Sequence, residues 1–259
     1  MSDRELVSGS VDGSISIFEL IESKRIAIIS GHNNTVYSLF KWDENTFVSG
    51  SGDWSIKIWD LKKRECVAAI GNNVDRIYSV RKFNNELFIS GSDDKTIKVC
   101  DFKERKCLKS LKGHTSIVFS LCVMTEKIFV SGSRDKTIKI WGIEGDTCIK
   151  TLEGHNNTVR CLCKVDDEQF ISGSWDNTLK IWSLYQGLIG TLNGHTDKVL
   201  SVCLLTSNII ASTSEDKTIK IWNLTNKTCI ETIQMDSFLY SITKLRNNSF
   251  ASGDRDGKV

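Results

Sequence analysis

The chain has 259 residues and carries 34 Lys plus Arg against 32 Asp plus Glu, a formal charge of +2, a balance that argues against bulk electrostatic binding to nucleic acid or to a membrane. Hydrophobic residues make up 40% and charged residues 25%, the proportions of a globular chain with apolar mass for a core and not of a disordered tail. No apolar stretch follows Met1-Ser2-Asp3-Arg4-Glu5 and none approaches the roughly eighteen residues of a membrane span, so neither a secretory signal nor a transmembrane helix is expected. The nine Cys are too few and too evenly spread for a disulfide scaffold, and free thiols in a reducing compartment are expected. That points to a cytoplasmic address, with the nucleus as the alternative.

The elements follow one another with a fixed period. The string Ser-Gly-Ser-x-Asp, with close variants, places its Asp at 12, 53, 94, 135, 176, 216 and 256, at spacings of 41, 41, 41, 41, 40 and 40. An apolar run such as Thr46-Phe47-Val48 enters each copy, and an alternating run such as Thr137-Ile138-Lys139-Ile140-Trp141 leaves it. Two short strands joined by a tight turn fit that pattern. Upstream lies a third alternating run (Val36-Tyr37-Ser38-Leu39, Ile77-Tyr78-Ser79-Val80, Val118-Phe119-Ser120-Leu121), and downstream a fourth that ends in Leu-x-Gly-His or a variant. Each unit thus supplies four strands, a to d. The chain starts in strand b and stops at Val259 inside strand c.

Four short strands cannot bury both faces of their sheet alone, so about 40 residues per four-stranded unit, repeated, implies sheets stacked around an axis. The expectation is an all-β chain over residues 1–259, a β-propeller of four-stranded antiparallel blades in a single domain, with about seven blades of which the first and last are incomplete. Little helix is expected, since no segment keeps a 3.6-residue apolar period through three turns. Pro is absent, so Gly, Asn, Asp and Ser must make the turns.

Gly31-His32, Gly113-His114, Gly154-His155 and Gly194-His195 are each followed 21 residues later by the turn Asp and 27 later by Trp59, Trp141, Trp182 or Trp222. In this the chain resembles the WD-repeat propeller family over nearly its whole length, in a repeat style similar to the propellers of F-box proteins. The resemblance implies four hydrogen-bonded tetrads: His32, Ser49, Asp53 and Trp59; His114, Ser131, Asp135 and Trp141; His155, Ser172, Asp176 and Trp182; His195, Ser212, Asp216 and Trp222. A buried carboxylate is tolerable only when turn amides and the imidazole satisfy its oxygens, and Ser passes the network on to the indole N–H. The second full repeat departs from the pattern, with Asn72 in place of His and Cys100 in place of Trp.

Ser, His and Asp together also raise a hydrolase reading. A catalytic triad is needed once, in a cleft, whereas this trio recurs at a fixed period with its hydroxyl engaged by Trp. The chain has four His and all are taken by tetrads, leaving none for acid–base chemistry or metal ligation, so no catalytic residue, metal or cofactor is expected. Cys66, Cys107, Cys148 and Cys229 share one position of strand d, and Cys122, Cys163 and Cys203 one of strand a, so they point alike in successive blades instead of converging. No Gly-x-x-x-x-Gly-Lys-Ser/Thr phosphate loop occurs.

The d-to-a and b-to-c connections emerge at one end of the blades, the face that most often docks ligands in the family. By register this top face takes Tyr37, Tyr78, Phe119, Arg160, Leu200 and Tyr240 from sixteen residues before the turn Asp, Arg76 and Lys198 from eighteen before, and Arg134 and Trp175 from immediately before it. These positions vary while the tetrads stay fixed, and Tyr, Phe, Trp and Arg combine large contact area with a polar handle. The expected function is a non-catalytic scaffold that binds other proteins through a peptide or loop, with no nucleic acid or membrane partner. The similarity of Arg134 and Arg160 to arginines of F-box substrate receptors implies, as the alternative, a phosphopeptide reader of a ubiquitin ligase; the regular period equally fits the propeller portion of a larger kinase or signalling ATPase. Open edges of incomplete blades add dimerisation to the expectations.

Overall fold

The computed structural model describes residues 5–22, 24–71, 75–245 and 249–254. All 25 elements among them are strands, and they fall into two compact units, Met1–Leu121 and Cys122–Val259.

The first unit opens with a three-stranded antiparallel sheet of β1 (Glu5–Gly9), β2 (Ile15–Glu19) and β3 (Lys24–Ile29). Two four-stranded meanders follow, β4 (Val36–Lys41), β5 (Thr46–Ser51), β6 (Ile56–Asp60) and β7 (Glu65–Ile70), then β8 (Ile77–Lys82), β9 (Leu87–Ser92), β10 (Ile97–Asp101) and β11 (Lys106–Leu111). Strand β12 (Val118–Val123), in which the division between the units falls, heads the order β12-β13-β14-β15 with β13 (Ile128–Ser133), β14 (Ile138–Gly142) and β15 (Cys148–Leu152). The second unit continues with β16 (Val159–Lys164), β17 (Gln169–Ser174), β18 (Leu179–Ser183) and β19 (Gly187–Leu192), and with β20 (Val199–Thr206), β21 (Ile209–Ser214), β22 (Thr218–Asn223) and β23 (Thr228–Gln234). It ends in a hairpin of β24 (Leu239–Lys244) and β25 (Phe250–Asp254).

The expected count of about seven blades is corrected to six, five of four strands and one of three, followed by a two-stranded hairpin. The seventh copy of the repeat reaches only its strands a and b before the described residues end, and its turn residue Asp256 lies outside them.

The composition of strand b follows from how the sheets stack. In β5, β9, β13, β17 and β21 everything after the first residue is buried, because both faces of this strand are covered. The Gly of Ser-Gly-Ser sits where the next sheet leans in: a Cβ at Gly50 would stand 2.6 Å from Cγ2 of Ile77, and one at Gly132 2.6 Å from Cγ1 of Val159. Side-chain hydroxyls clamp the same interfaces, as Ser38 Oγ accepts the Val80 amide at 3.1 Å and Ser201 Oγ the Ile242 amide at 3.2 Å. Apolar clusters therefore form between successive sheets as well as within them; Ile15, Ile17 and Ile29 of the first sheet pack with Val36, Phe47 and Trp59 of the second.

Candidate functional site

Each polar set joins three segments that the sequence holds far apart. His32 lies in the connection after β3, Asp53 in the β5–β6 turn and Ser49 and Trp59 on those two strands. His32 Nδ1 is 2.8 Å from Asp53 Oδ2, its Nε2 is 2.6 Å from Ser49 Oγ, and Trp59 Nε1 donates to that same Oγ at 2.7 Å. The second unit repeats the geometry: His155 lies 2.7 Å from Asp176 and 2.6 Å from Ser172, with Trp182 on Ser172 at 2.7 Å. His195 lies 2.7 Å from Asp216 and 2.8 Å from Ser212, with Trp222 on Ser212 at 2.8 Å. Of the remaining set, His114 and Asp135 stand on opposite sides of the division between the units; within the second unit Trp141 Nε1 donates to Ser131 Oγ at 2.7 Å.

The carboxylates are held by more than the imidazole. Asp176 also accepts the Asn156 amide at 2.9 Å, the Thr178 amide at 3.0 Å and the Thr178 hydroxyl at 2.6 Å. Burial opposes its ionisation, yet the bonds from His155, Thr178 and Asn156 outweigh burial and hold the carboxyl below the usual range. For His32, His155 and His195 burial is the largest influence and exceeds the pull of the Asp, so each imidazole is held below its ordinary value of 6.5. A neutral ring fits the network: Nδ1–H donates to Asp and Nε2 accepts the Ser O–H, a tautomer assigned from the partners. The contacts are those of a hydrolytic triad, but Ser49, Ser172 and Ser212 are 0% exposed and already accept an indole N–H. These hydroxyls cannot reach a substrate.

The sheet β8–β11 solves the same problem with other residues. Asn72 lies outside the described residues, and Asp94 instead accepts Lys98 Nζ at 2.9 Å along with the Thr96 amide and hydroxyl. Lys98 is only 9% exposed, while its counterparts Lys139, Lys180 and Lys220 reach Thr hydroxyls of strand d. Cys100 occupies the indole position and forms a disulfide with Cys107. This corrects the expectation of free thiols throughout. The physical reason is a bulge between Val99 and Cys100 that shifts the β10–β11 register and sets the two Cys opposite each other.

On the tetrad end of the blades, the residue before each turn Asp is tied to the residue eighteen before the Asp. The amides of Gly52, Asp93, Trp175 and Glu215 donate to the carbonyls of Thr35, Arg76, Thr158 and Lys198 at 2.8 to 3.0 Å. In the first unit Tyr37 and Tyr78 pack with ring planes tilted by 39° and centroids 4.6 Å apart, and Phe119 meets Tyr78 edge-on at 4.8 Å. The guanidinium of Arg76 stands 4.0 Å from the Asp93 carboxylate. In the second unit Lys198 Nζ lies 5.5 Å from the Trp175 ring centroid and 2.8 Å from Glu215. Arg134 and Tyr240 are exposed and Arg160 is half-buried.

Two of the expected contact residues are packed instead. Phe119 is 8% and Leu200 4% exposed, so they support the face from beneath. One residue was missed: Trp54 directly follows the turn Asp, is 54% exposed and takes a φ of 70°. Lys95, Lys136, Asn177 and Lys217 share that left-handed corner, and only in this copy does an indole stand there. The left-handed conformation belongs to the repeated turn, and the exposed indole makes Trp54 a candidate contact residue. The signal in the sequence was a Trp outside the tetrad register.

The WD domain, G-beta repeat family matches residues 23–60, 64–101, 105–142, 146–183 and 186–223. The chain belongs to the WD-repeat family. Its blades are those of an all-β propeller: the chain is similar to a solved structure described as the WD40 beta propeller domain of Doa1, with 28% identity and a TM-score of 0.89 over 98% of this chain and 87% of that one. No curated protein matches. The architecture fits a protein-interaction scaffold in general terms.

Proposed function

We propose that this WD-repeat chain is a non-catalytic scaffold that docks a peptide or loop of another protein on the tetrad end of its blades. The observation that carries this reading is the aromatic patch of the first unit. Tyr37 is 37% exposed, Tyr78 is half-buried between Tyr37 and Phe119, and on the β5–β6 turn of the same unit Trp54 is 54% exposed. Rigid aromatic rings backed by packed neighbours are the composition of interaction hot spots, because little side-chain entropy remains to be lost on binding.

A phosphopeptide receptor of the ubiquitin-ligase kind is the second reading, and what favours it is the exposed Arg134 with Arg160 in the second unit. Against it, Arg76 and Lys198 already face Asp93 and Glu215. The experiment is affinity capture with mass spectrometry, comparing the wild type with Tyr37→Ala/Trp54→Ala and with Arg134→Glu/Arg160→Glu/Trp175→Ala, each with and without phosphatase. Partners lost with the aromatic variant alone, whatever the phosphatase treatment, are the expected result. Partners lost only with the arginine variant and on dephosphorylation would replace the first reading by the second, and an unchanged set would refute both.

A further inference from the structure

In four sheets strand d carries a Cys at one repeat position, and in three of them the strand-c indole stands opposite it: Trp59 faces Cys66, Trp141 faces Cys148 and Trp222 faces Cys229. A single thiol beside an indole has no partner for oxidation. In β8–β11 the indole is replaced by Cys100, and the same register that sets Trp beside Cys elsewhere sets Cys100 beside Cys107.

The two sulfurs live in different surroundings. Cys100 is 0% exposed and packs with Val80 and Phe88. Cys107 is half-buried and lies on β11, the outermost strand of its sheet. An entering thiolate therefore meets Cys107 first. The hairpin that carries it is net basic, with Lys103, Arg105, Lys106, Lys109 and Lys112 against Asp101 and Glu104, and positive neighbours favour the thiolate form and attract an anionic reagent. Behind the bond, Ser90 Oγ is buried and has no hydrogen-bond partner among the described residues, so this sheet lacks the Ser–indole bond that fastens strand b to strand c in its neighbour β4–β7.

We propose that Cys100–Cys107 is a reversible thiol–disulfide exchange site for an anionic low-molecular-weight thiol of the glutathione class. The thiolate of glutathione attacks Cys107 Sγ, a new S–S bond forms there, and the bond to Cys100 breaks with its electron pair leaving on Cys100, which then takes a proton from water. A second glutathione thiolate attacks the glutathione sulfur of the mixed disulfide, releasing oxidised glutathione and the Cys107 thiolate, which in turn takes a proton from water. The protein disulfide gains two electrons and two protons, and two glutathione molecules lose them. In reverse, oxidised glutathione closes the bond. The site lies on the blade rim and does not rest on the docking reading.

The test places the full chain in buffers of reduced and oxidised glutathione at varied ratio, quenches with acid, alkylates and maps the peptides by mass spectrometry. The expected result is a Cys100–Cys107 linkage that opens and closes with the ratio while circular dichroism stays native, and in Cys100→Ser a glutathione adduct on Cys107. Lys103→Glu/Lys106→Glu should slow opening by glutathione by about tenfold and leave cysteamine, whose attacking form has no net charge, nearly unaffected. A bond that resists reduced glutathione until the chain unfolds, two free thiols under excess oxidised glutathione, or equal slowing of both reagents would overturn the proposal. The wild-type titration needs no variant, so a misfolded substitution cannot mask the outcome.

Discussion

The sheets β16–β19 and β8–β11 come from copies of one repeat and are closed by different chemistry. In β16–β19 a neutral imidazole links Asp176 to Ser172, and Ser172 links to the indole of Trp182, so the connection before the sheet and two of its strands share one buried network. In β8–β11 the carboxylate is neutralised by Lys98 from within the same hairpin, and a disulfide joins strands c and d. The first solution ties non-local segments together, and the bonds of the second are, among the described residues, local to its sheet. The backbone tolerates either, because what it requires is a satisfied turn carboxylate and a filled position opposite strand d, and more than one set of side chains meets those needs.

The comparison can be broken most severely at Asp176. Asp176→Ala removes the acceptor of four hydrogen bonds and strands His155 and two amides, so urea unfolding should show a loss of about 3 to 4 kcal/mol; a loss below about 1 kcal/mol would contradict the network. Reduction comes next. Opening Cys100–Cys107 frees a short loop and should lower stability by about 2 to 3 kcal/mol, with no effect of reductant on Cys100→Ser.

Acid sharpens the contrast. The imidazoles of His32, His155 and His195 are held below their ordinary 6.5, so the unfolded chain binds protons that the fold refuses; their contribution is intact above about pH 6.5 and falls as pH drops from there. The carboxyls of Asp53, Asp176 and Asp216 lie below 3.8 and add a second loss as pH falls through their folded values. Asp94, bonded to Thr96 and Lys98 against the cost of burial, lies low as well. With no imidazole near it among the described residues, its sheet should show only the second step, which amide exchange at stepped pH would resolve. The smallest effect is chemical: Cys66 and Cys229 are exposed and should alkylate readily in the folded chain, while Cys161 and Cys203, pushed by burial up to about 12, should resist at neutral pH. Equal rates would mean that the strand-a thiols are not packed as described.

Much of this was legible in the residues. A turn Asp recurring every 40 or 41 positions, with His 21 before and Trp 6 after, fixes the register of strands b and c, and the resemblance to the WD-repeat family implies the tetrads at those positions. The Cys pair was not legible, because strand alternation alone sets Cys100 opposite Leu108 and the bulge moves it to Cys107. Spacing is silent about bulges. Phe119 and Leu200 share a register position with exposed Tyr37 and Tyr240 yet are buried, since exposure at one repeat position depends on the neighbours a side chain meets and not on its place in the period. Trp54 escaped because its backbone conformation, rare for a bulky residue, cannot be seen in a string of letters.

The central claim is that β8–β11 is held by its own local bonds where its neighbour β4–β7 is held by a tetrad. Native-state hydrogen exchange of the β10 and β11 amides against those of β6 and β7, in oxidised and then in reduced chain, tests it most directly. Comparable protection of the two sheets when oxidised, and faster exchange confined to β10 and β11 after reduction, is the predicted result. Protection of β10 and β11 that survives reduction unchanged would contradict it.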